Sequence, residues 1–204
     1  MREFLLHRAA IYTTFQHLTG AGKARKDLVE KLELKAGDKI LDIGCGPADI
    51  LRYLPADVQY TGFDNNENYI RSAKKQFKNR GNFFCQEVGA DLLKNTLVET
   101  NSFNVVLATG ILHHLADDQA ISLFELAKAM LIKGGKLVTL DGCFTKNQRL
   151  VAKFVLRLDR GKFVRTKQEY IKLAKYHFSG VKTEISDNAL KIPYTLIIME
   201  CRSD

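Results

Sequence analysis

The stretch that decides the fold is ILDIGCGPADILRYL, which runs from Ile40 to Leu54. Its apolar start is typical of a buried strand, and the strand leads through Asp42 into a Gly-Cys-Gly turn. Gly44 and Gly46 carry no Cβ, so the backbone can turn tightly there and a ligand can approach it closely. The residues after the turn indicate a short helix that Pro55 stops.

The turn lacks the third glycine that a dinucleotide site would require. Asp49 stands at that position, and a carboxylate in the first turn of a helix would repel a phosphate. A second carboxylate, Asp64, ends the next predicted strand, and its two oxygens can accept hydrogen bonds from both hydroxyls of a ribose. The ligand indicated is a nucleoside without phosphate that carries positive charge near Asp42 or Asp49, and S-adenosylmethionine meets these requirements.

The rest of the chain alternates strand-like apolar runs with amphipathic helical segments. The predicted strands are 39–43, 58–64, 82–86, 103–108, 136–141, 181–186 and 194–201, and the predicted helices are 48–54, 66–79 and 117–131. This alternation predicts a largely parallel sheet with helices on both faces and a ligand beyond the carboxyl ends of the strands. With 204 residues, of which 46% are hydrophobic and 26% charged, the chain is suited to a single domain of this kind.

Four segments between Lys39 and Asp141 together resemble the motif series of class I S-adenosylmethionine-dependent methyltransferases: ILDIGCG, YTGFD, SFNVVLATGILHHL and LIKGGKLVTLD. The resemblance implies a Rossmann-like, doubly wound seven-stranded sheet of order 3-2-1-4-5-7-6, with strand 7 antiparallel and a helical cap. We expect one domain over residues 1–204. It would comprise an N-terminal helical cap (1–36), a cofactor-binding core (37–142), a basic helical insertion or lid (143–179) and a closing hairpin (180–204).

The resemblance also implies a site for S-adenosylmethionine or its demethylated product, S-adenosylhomocysteine. Asp42 would lie near the ammonium group, Asp64 would hold the ribose, and Glu87 would contact the adenine edge. The family more often has aspartate at the last position, and Asp91 is a near rival. The full set of implied cofactor residues is Asp42, Gly44, Cys45, Gly46, Asp64, Asn65, Glu87, Val88, Thr109 and Gly110.

Two neighbouring histidines are candidates for the chemistry. Methyl transfer is an in-line displacement, so positioning and exclusion of water supply much of the acceleration, and a base assists when the acceptor is a hydroxyl. His113 and His114 follow the fourth predicted strand and are the catalytic candidates, with Asp141 after the fifth strand as a further one. Each also has an ordinary structural interpretation. Adjacent histidines point in different directions and no third ligand is evident, so we expect no metal site.

The sequence of the turn after the fourth strand limits the class of methyl acceptor. It reads Thr109-Gly110-Ile111-Leu112, without the Asn- or Asp-Pro-Pro-aromatic tetrapeptide usual in enzymes that methylate exocyclic amines of bases. The Pro-Cys pair of pyrimidine C5 methyltransferases is absent too. The GILHHL form resembles the small-molecule methyltransferases instead.

Positive charge is concentrated in one segment. The chain has a net charge of +8, and residues 143–182 contain eleven lysines or arginines against two acids, a balance of +9. One predicted helix in this segment has two distinct faces. The charged stripe consists of Arg149, Lys153, Arg157 and Arg160, and the apolar face consists of Leu150, Phe154 and Leu158.

This helix could act as a lid, lie on an anionic membrane or track phosphates. We expect residues 144–178 to cover the acceptor site and to select an anionic small-molecule acceptor. The alternative is an RNA or tRNA methyltransferase, or a nucleic-acid-binding protein, that uses this segment, although it offers few aromatic residues for stacking bases.

The remaining features concern the chain's environment and its N-terminus. No apolar stretch is long enough to span a bilayer, and we expect a cytoplasmic protein. The four cysteines are far apart, with no Cys-x-x-Cys pair, and we interpret them as small buried hydrophobic residues. Tyr12, Phe15 and Gln16 could contribute to the cover of the acceptor pocket.

Overall fold

The computed structural model describes residues 20–86, 98–158 and 161–203. The helices are α1 (Ala21–Lys31), α2 (Glu67–Phe77), α3 (Asp117–Met130), α4 (Leu150–Leu158) and α5 (Lys167–Ala174). The strands are β1 (Lys39–Ile43), β2 (Gln59–Asp64), β3 (Asn82–Cys85), β4 (Phe103–Thr109), β5 (Leu131–Phe144), β6 (Arg165–Thr166), β7 (Gly180–Ser186) and β8 (Leu196–Arg202).

The strands form one sheet in the order β3-β2-β1-β4-β5-β8-β7, and the two-residue β6 pairs beside the end of β5. All neighbours from β3 to β5 are parallel, whereas β8 runs antiparallel to both β5 and β7. The predicted order 3-2-1-4-5-7-6 is therefore confirmed, with the short β6 as an addition that shifts the numbering of the last two strands.

Each face of the sheet is covered by helices. Ile40 of β1 packs in a cluster with α1 and α2, while its neighbour Leu41 packs in a cluster with α3 and α5. This division follows from the two-residue period of a strand, which sends successive side chains to opposite faces. Because both faces are buried, β1 has four consecutive buried residues and no polar–apolar alternation.

The segment after the glycine turn is shorter than predicted. The helix expected over 48–54 is a four-residue 3₁₀ turn, Asp49–Arg52. Ala48 before it has a left-handed φ of 58°, so regular helix cannot extend back through this residue. Asp49 therefore lies in a 3₁₀ turn, and its carboxylate accepts from Arg52 Nε at 3.3 Å. Asp49 is therefore not placed in the first turn of an α-helix as predicted, and so short a turn has little dipole with which a carboxylate or a phosphate can interact.

Helix α4 packs against the end of β5 through Ala152 and Leu156, both buried. The approach is close, because a Cβ on Gly142 would lie 2.7 Å from Leu156 Cδ2. Leu150, Phe154 and Leu158, predicted as the apolar face, are exposed to solvent instead. The helix is apolar on two sides, and the side with the smaller residue, Ala152, fits against the strand.

The other predictions about the chain's ends and cysteines have mixed outcomes. Of the expected N-terminal cap, α1 is described and is tied to β7 by Lys31 Nζ, 2.6 Å from Glu184 Oε2, whereas Tyr12, Phe15 and Gln16 lie outside the described residues. Cys143 and Cys201 are buried as expected, but the thiol of Cys85 is exposed on β3. In the described ranges, no helix has the length and apolar character that crossing a bilayer requires.

Candidate active site

The glycine turn is held against the end of β2. The N–H groups of Gly44 and Cys45 both donate to Phe63 O, at 2.8 and 2.9 Å. Gly44 and Gly46 have left-handed φ values of 72° and 56°, which glycine adopts without strain. A Cβ on Gly44 would lie 2.8 Å from Ile111 Cδ1, whereas a Cβ on Gly46 would meet nothing within 4 Å. The backbone of Gly44 is thus covered by the Ile111 side chain, whereas the backbone of Gly46 is open to a ligand.

Asp64 lies beside this open position with its carboxylate fixed in orientation. Its Oδ2 accepts from the Gly46 N–H at 2.9 Å, and its Oδ1 accepts from the Asn66 N–H at 2.8 Å. Asn66 in turn caps α2 by accepting from the Asn68 N–H at 3.0 Å. Each carboxylate oxygen has more than one lone pair, so both can still accept from a diol. The half-buried Asp64 and the exposed Asn65 are therefore available at the carboxyl edge of β2.

Asp42 is buried one strand away and faces Tyr60. The Tyr60 hydroxyl donates to Asp42 Oδ2 at 2.6 Å, while Oδ1 is buried and has no hydrogen-bond partner in the described part of the chain. Burial raises the pKa of Asp42 to about 7, against the opposing effects of the Tyr60 hydrogen bond and the Arg25 charge. A buried carboxylate oxygen without a partner is costly, so the site favours a cationic or hydrogen-bonding ligand there.

Cys45 contributes packing and main chain to the turn. Its Sγ is directed at β2, since a Cβ on Gly62 would lie 2.8 Å from it. Burial raises the pKa of the Cys45 thiol above its ordinary value, so the group stays protonated. A protonated thiol packed under a strand is not a nucleophile. The side chain therefore supports the turn from below.

The second turn of the site follows β4. Gly110 has a left-handed φ of 69°, and its N–H donates to Leu140 O at 2.7 Å. Thr109 is half-buried and in register with Leu140 of β5. This hydrogen bond joins the carboxyl ends of β4 and β5. The predicted residues that follow β4 and those at the end of β5 therefore lie at the same edge of the sheet.

The structure separates the two histidines. His113 is buried, its Nδ1 lies 2.8 Å from Asp141 Oδ1, and its backbone N–H donates to the same oxygen at 3.3 Å. His114 is exposed, with its ring centroid 4.2 Å from that of His113. Asp141 is buried, and its Oδ2 has no hydrogen-bond partner among the described residues. In the tautomer of His113 that carries its proton on Nδ1, that N–H donates to Asp141, and Nε2 is the basic ring nitrogen.

Residues 161–163, which we term the covering segment, lie on His113. The Phe163 N–H donates to His113 O at 2.9 Å. A Cβ on Gly161 would lie 2.9 Å from the same carbonyl oxygen and would overlap the imidazole ring. The absence of a side chain at Gly161 is therefore what lets the chain pass directly over the candidate base.

Arg165 fastens the covering segment to the turn that carries His113. Its guanidinium donates to Leu112 O at 2.9 Å, Leu115 O at 2.7 Å and Asp117 Oδ1 at 2.7 Å. Arg165 is buried, and five donors in a rigid plane suit such a set of carbonyl oxygens. By sequence, Arg165 is one of the charged residues of the basic segment. In the structure its side chain is buried and forms hydrogen bonds inside the fold.

The structure brings together most of the residues predicted from the sequence. Asp42, Gly44, Gly46, Asp64 and the Thr109-Gly110 turn meet at the carboxyl ends of the strands, next to the pair formed by His113 and Asp141. The predicted Glu87, Val88, Asp91 and Arg160 lie outside the described residues. Tyr60, Gly161 and Arg165 were missed, because a tyrosine in a strand and a lone glycine or arginine in a loop give no local signal. Across the described ranges, no group of three or more His, Cys, Asp or Glu is placed to hold a metal ion.

Comparison with known proteins finds relatives among methyltransferases. Residues 40–135 match the family model described as a methyltransferase domain. The chain is 34% identical over 127 residues to phosphoethanolamine N-methyltransferase 1 of Triticum aestivum, which covers 61% of this chain and 25% of the relative. It is 30% identical over 156 residues to demethylmenaquinone methyltransferase of Staphylococcus haemolyticus, covering 72% of this chain and 63% of the relative. The chain thus spans less than two thirds of either relative.

A solved structure with the same fold comes from Haemonchus contortus. It is a phosphoethanolamine N-methyltransferase 2 in complex with phosphomonomethylethanolamine and S-adenosylhomocysteine. The TM-score is 0.67 at 16% identity, over 88% of this chain and 52% of the other. At that identity the likeness establishes the shared fold.

Proposed function

Because the chain belongs to the class I S-adenosylmethionine-dependent methyltransferases, we propose that it transfers a methyl group from S-adenosylmethionine to a small anionic acceptor, with His113 as the base. The observation that carries this proposal is the pair of His113 Nδ1 and Asp141 Oδ1, which lie 2.8 Å apart just after the Thr109-Gly110 turn. A buried imidazole oriented by a carboxylate is an arrangement that serves proton removal.

The residues around the glycine turn fit S-adenosylmethionine. The open space at Gly46 leaves room for the methionine portion, and Asp64 retains lone pairs for the ribose hydroxyls. The buried Asp42 Oδ1 is an acceptor in need of a donor, which an ammonium group supplies directly or through water. When bound, the cofactor supplies an electrophilic methyl group on a sulfonium. The family resemblance adds five residues to the proposed cofactor-binding set: Asn65, Glu87, Val88, Thr109 and Gly110.

His113 would act on the acceptor. A hydroxyl has to lose its proton as the new bond to the methyl group forms, whereas an ammonium group has to lose a proton beforehand so that its nitrogen has a lone pair for the attack. With Nδ1 protonated and directed at Asp141, Nε2 of His113 accepts that proton, and the buried carboxylate stabilises the imidazolium that results. His114 is exposed and is assigned no step.

The covering segment would exclude water and admit an anion. Gly161 and Phe163 lie on His113, and Lys162 between them is exposed. The guanidinium of the nearby Arg165 is already occupied by hydrogen bonds to protein oxygens. Lys162, the basic residue of the covering segment, is therefore the one we assign to attract the negative charge of an acceptor. This assignment replaces the charged stripe predicted from the sequence, of which Lys153 and Arg157 are exposed on α4.

The acceptor class is proposed from the relatives. The relatives named for phosphoethanolamine and for demethylmenaquinone are similar to this chain over 127 and 156 residues, respectively. Phosphoethanolamine combines an anionic phosphate with an amine that must lose a proton, which matches a cation at Lys162 and a base at His113. It is therefore the acceptor we favour.

The test is methyl transfer from radiolabelled S-adenosylmethionine to phosphoethanolamine, demethylmenaquinone and bulk tRNA, each with the purified full chain. Label on phosphoethanolamine that disappears in His113→Gln supports the proposal. Transfer to tRNA alone would establish the nucleic-acid alternative. Absence of S-adenosylhomocysteine binding in calorimetry would overturn the function as a whole.

A further inference from the structure

Helix α4 presents an unusual amount of apolar surface to solvent. The relative exposures are 83% for Leu150, 59% for Val151, 61% for Phe154 and 68% for Leu158. Leu150, Phe154 and Leu158 are spaced four residues apart, so they form one continuous strip along the helix. A cluster of this kind on a small protein marks an interaction surface more often than chance exposure does.

The orientation of the strip is fixed by the packing on the opposite side. Leu156 fills the space above Gly142, where a Cβ would lie 2.7 Å from its Cδ2 and 2.6 Å from the Tyr194 hydroxyl. Ala152 and Leu156 belong to the buried side of α4. Rotating the helix to bury Phe154 would expose Leu156 and bring bulkier groups against β5. The exposed strip is therefore a property of how α4 is attached.

Basic residues border the strip. Lys153 and Arg157 are exposed and lie between the buried side of the helix and the Leu150–Leu158 strip, and α4 contains no acidic residue. Lys146 and Arg149, just before the helix, are exposed as well. The face thus combines aliphatic and aromatic side chains with a cationic border, which is the composition of a helix that lies in a membrane interface.

We propose that the outer face of α4 docks on an anionic lipid bilayer. Leu150, Phe154 and Leu158 would enter the boundary between headgroups and acyl chains, while Lys153 and Arg157 would contact anionic headgroups. A second copy of the chain is a poorer occupant, because a two-fold interface would bring two cationic borders together. Nucleic acid is poorer too, since leucine side chains give no stacking or hydrogen bonds to bases.

Such docking would have a consequence for the active site. The covering segment begins three residues after Leu158, and its Gly161 lies on His113. Seating α4 on a membrane would therefore hold the region of His113 near the lipid surface. This inference concerns the surface alone and does not depend on methyl transfer.

The experiment is flotation of the full chain with phosphatidylcholine vesicles, prepared with and without phosphatidylglycerol. We expect binding to the anionic vesicles at low ionic strength and strong loss at about 1 M salt, where the Debye length is about 3 Å. Phe154→Asp and Leu158→Asp should each weaken binding roughly tenfold, because each removes an inserted apolar side chain. All substituted positions are exposed, and melting curves check that the variants are folded.

A matched pair of charge reversals tests the face itself. Lys153→Glu with Arg157→Glu should abolish binding to anionic vesicles. Lys172→Glu with Lys175→Glu makes the same charge change at exposed positions on or just after α5 and should reduce binding only slightly. Equal loss in both pairs, or no vesicle binding by the wild-type chain, overturns the proposal. A dimer in sedimentation velocity that Phe154→Asp dissociates would instead assign the strip to a second copy.

Discussion

Nδ1 of His113 lies 2.8 Å from Oδ1 of Asp141, and that oxygen also accepts from the His113 backbone N–H at 3.3 Å. One buried carboxylate oxygen therefore fixes both the ring and the main chain of the candidate base. His114, one residue on, is exposed, so two adjacent residues of the same type have different environments. The predictions below begin with this difference.

Replacing His113 with Gln should lower turnover by about 10²–10⁴-fold, the usual contribution of a general base. Cofactor affinity should change little, because the role proposed for His113 is to act on the acceptor and not to bind the cofactor. Turnover with phosphoethanolamine and calorimetry with S-adenosylhomocysteine measure the two effects. Asp141→Asn should also lower turnover, since the Asp141 carboxylate orients the His113 ring through Nδ1. The control is His114→Gln, and equal losses at both positions would remove the base from His113.

Loss of the Asp64 carboxylate should weaken cofactor binding. In Asp64→Ala the ribose loses its charged acceptors, which should cost about 1–3 kcal/mol of binding free energy. Titration calorimetry with S-adenosylhomocysteine measures this directly. The control is Asp57→Ala, an exposed acid just before the other end of β2. A folded Asp64→Ala variant that binds with wild-type affinity would exclude Asp64 from the site.

Asp42 should make the stability of the cofactor-free protein depend on pH. Burial raises its pKa to about 7 from the ordinary 3.8, so between these values the folded state holds a proton that the unfolded state has released. Stability should then fall as the pH rises through this window. Asp42→Asn removes this contribution while keeping an acceptor for the Tyr60 hydroxyl. We expect its gain in melting temperature over wild type to be larger at pH 8 than at pH 5, and a gain independent of pH would contradict the raised pKa.

Lys162 should influence the affinity for an anionic acceptor. Lys162→Glu should raise the KM for phosphoethanolamine at low salt and less so at high salt, where the charge is screened. Cofactor affinity should stay near the wild-type value, because the change lies on the covering segment. Lys172→Glu on α5 is the control of equal charge. An unchanged KM for Lys162→Glu at low ionic strength would show that Lys162 does not interact with the negative charge of the acceptor.

Much of the fold could be predicted from the sequence because its signals are local. The apolar runs before Asp42 and Asp64 mark β1 and β2, and the parallel topology then brings residues after different strands to one edge. The glycine turn and the Thr109-Gly110 turn required left-handed backbone, which glycine supplies at Gly44, Gly46 and Gly110. The edge of the sheet that carries these turns therefore followed from short stretches of sequence, whereas the order of the strands followed from the resemblance to the methyltransferase motif series.

The choice between equivalent residues depended on contacts between distant parts of the chain. His113 is distinguished from His114 by Asp141, a residue on another strand, and by Gly161, beyond α4. Asp42 acquires its raised pKa from burial beside Tyr60, which no spacing rule announces.

The order of the elements along the chain and the edge of the sheet that carries the glycine turns were predictable, because turn chemistry and strand periodicity are properties of neighbouring residues. Which histidine is oriented, which arginine is internal and which side of α4 faces solvent depend on the packing of elements that are distant in sequence. The sequence of α4 is apolar on two sides, and the side that became buried was selected by the missing Cβ of Gly142 against Leu156. Packing space of that kind exists only once the strand and the helix have been brought together.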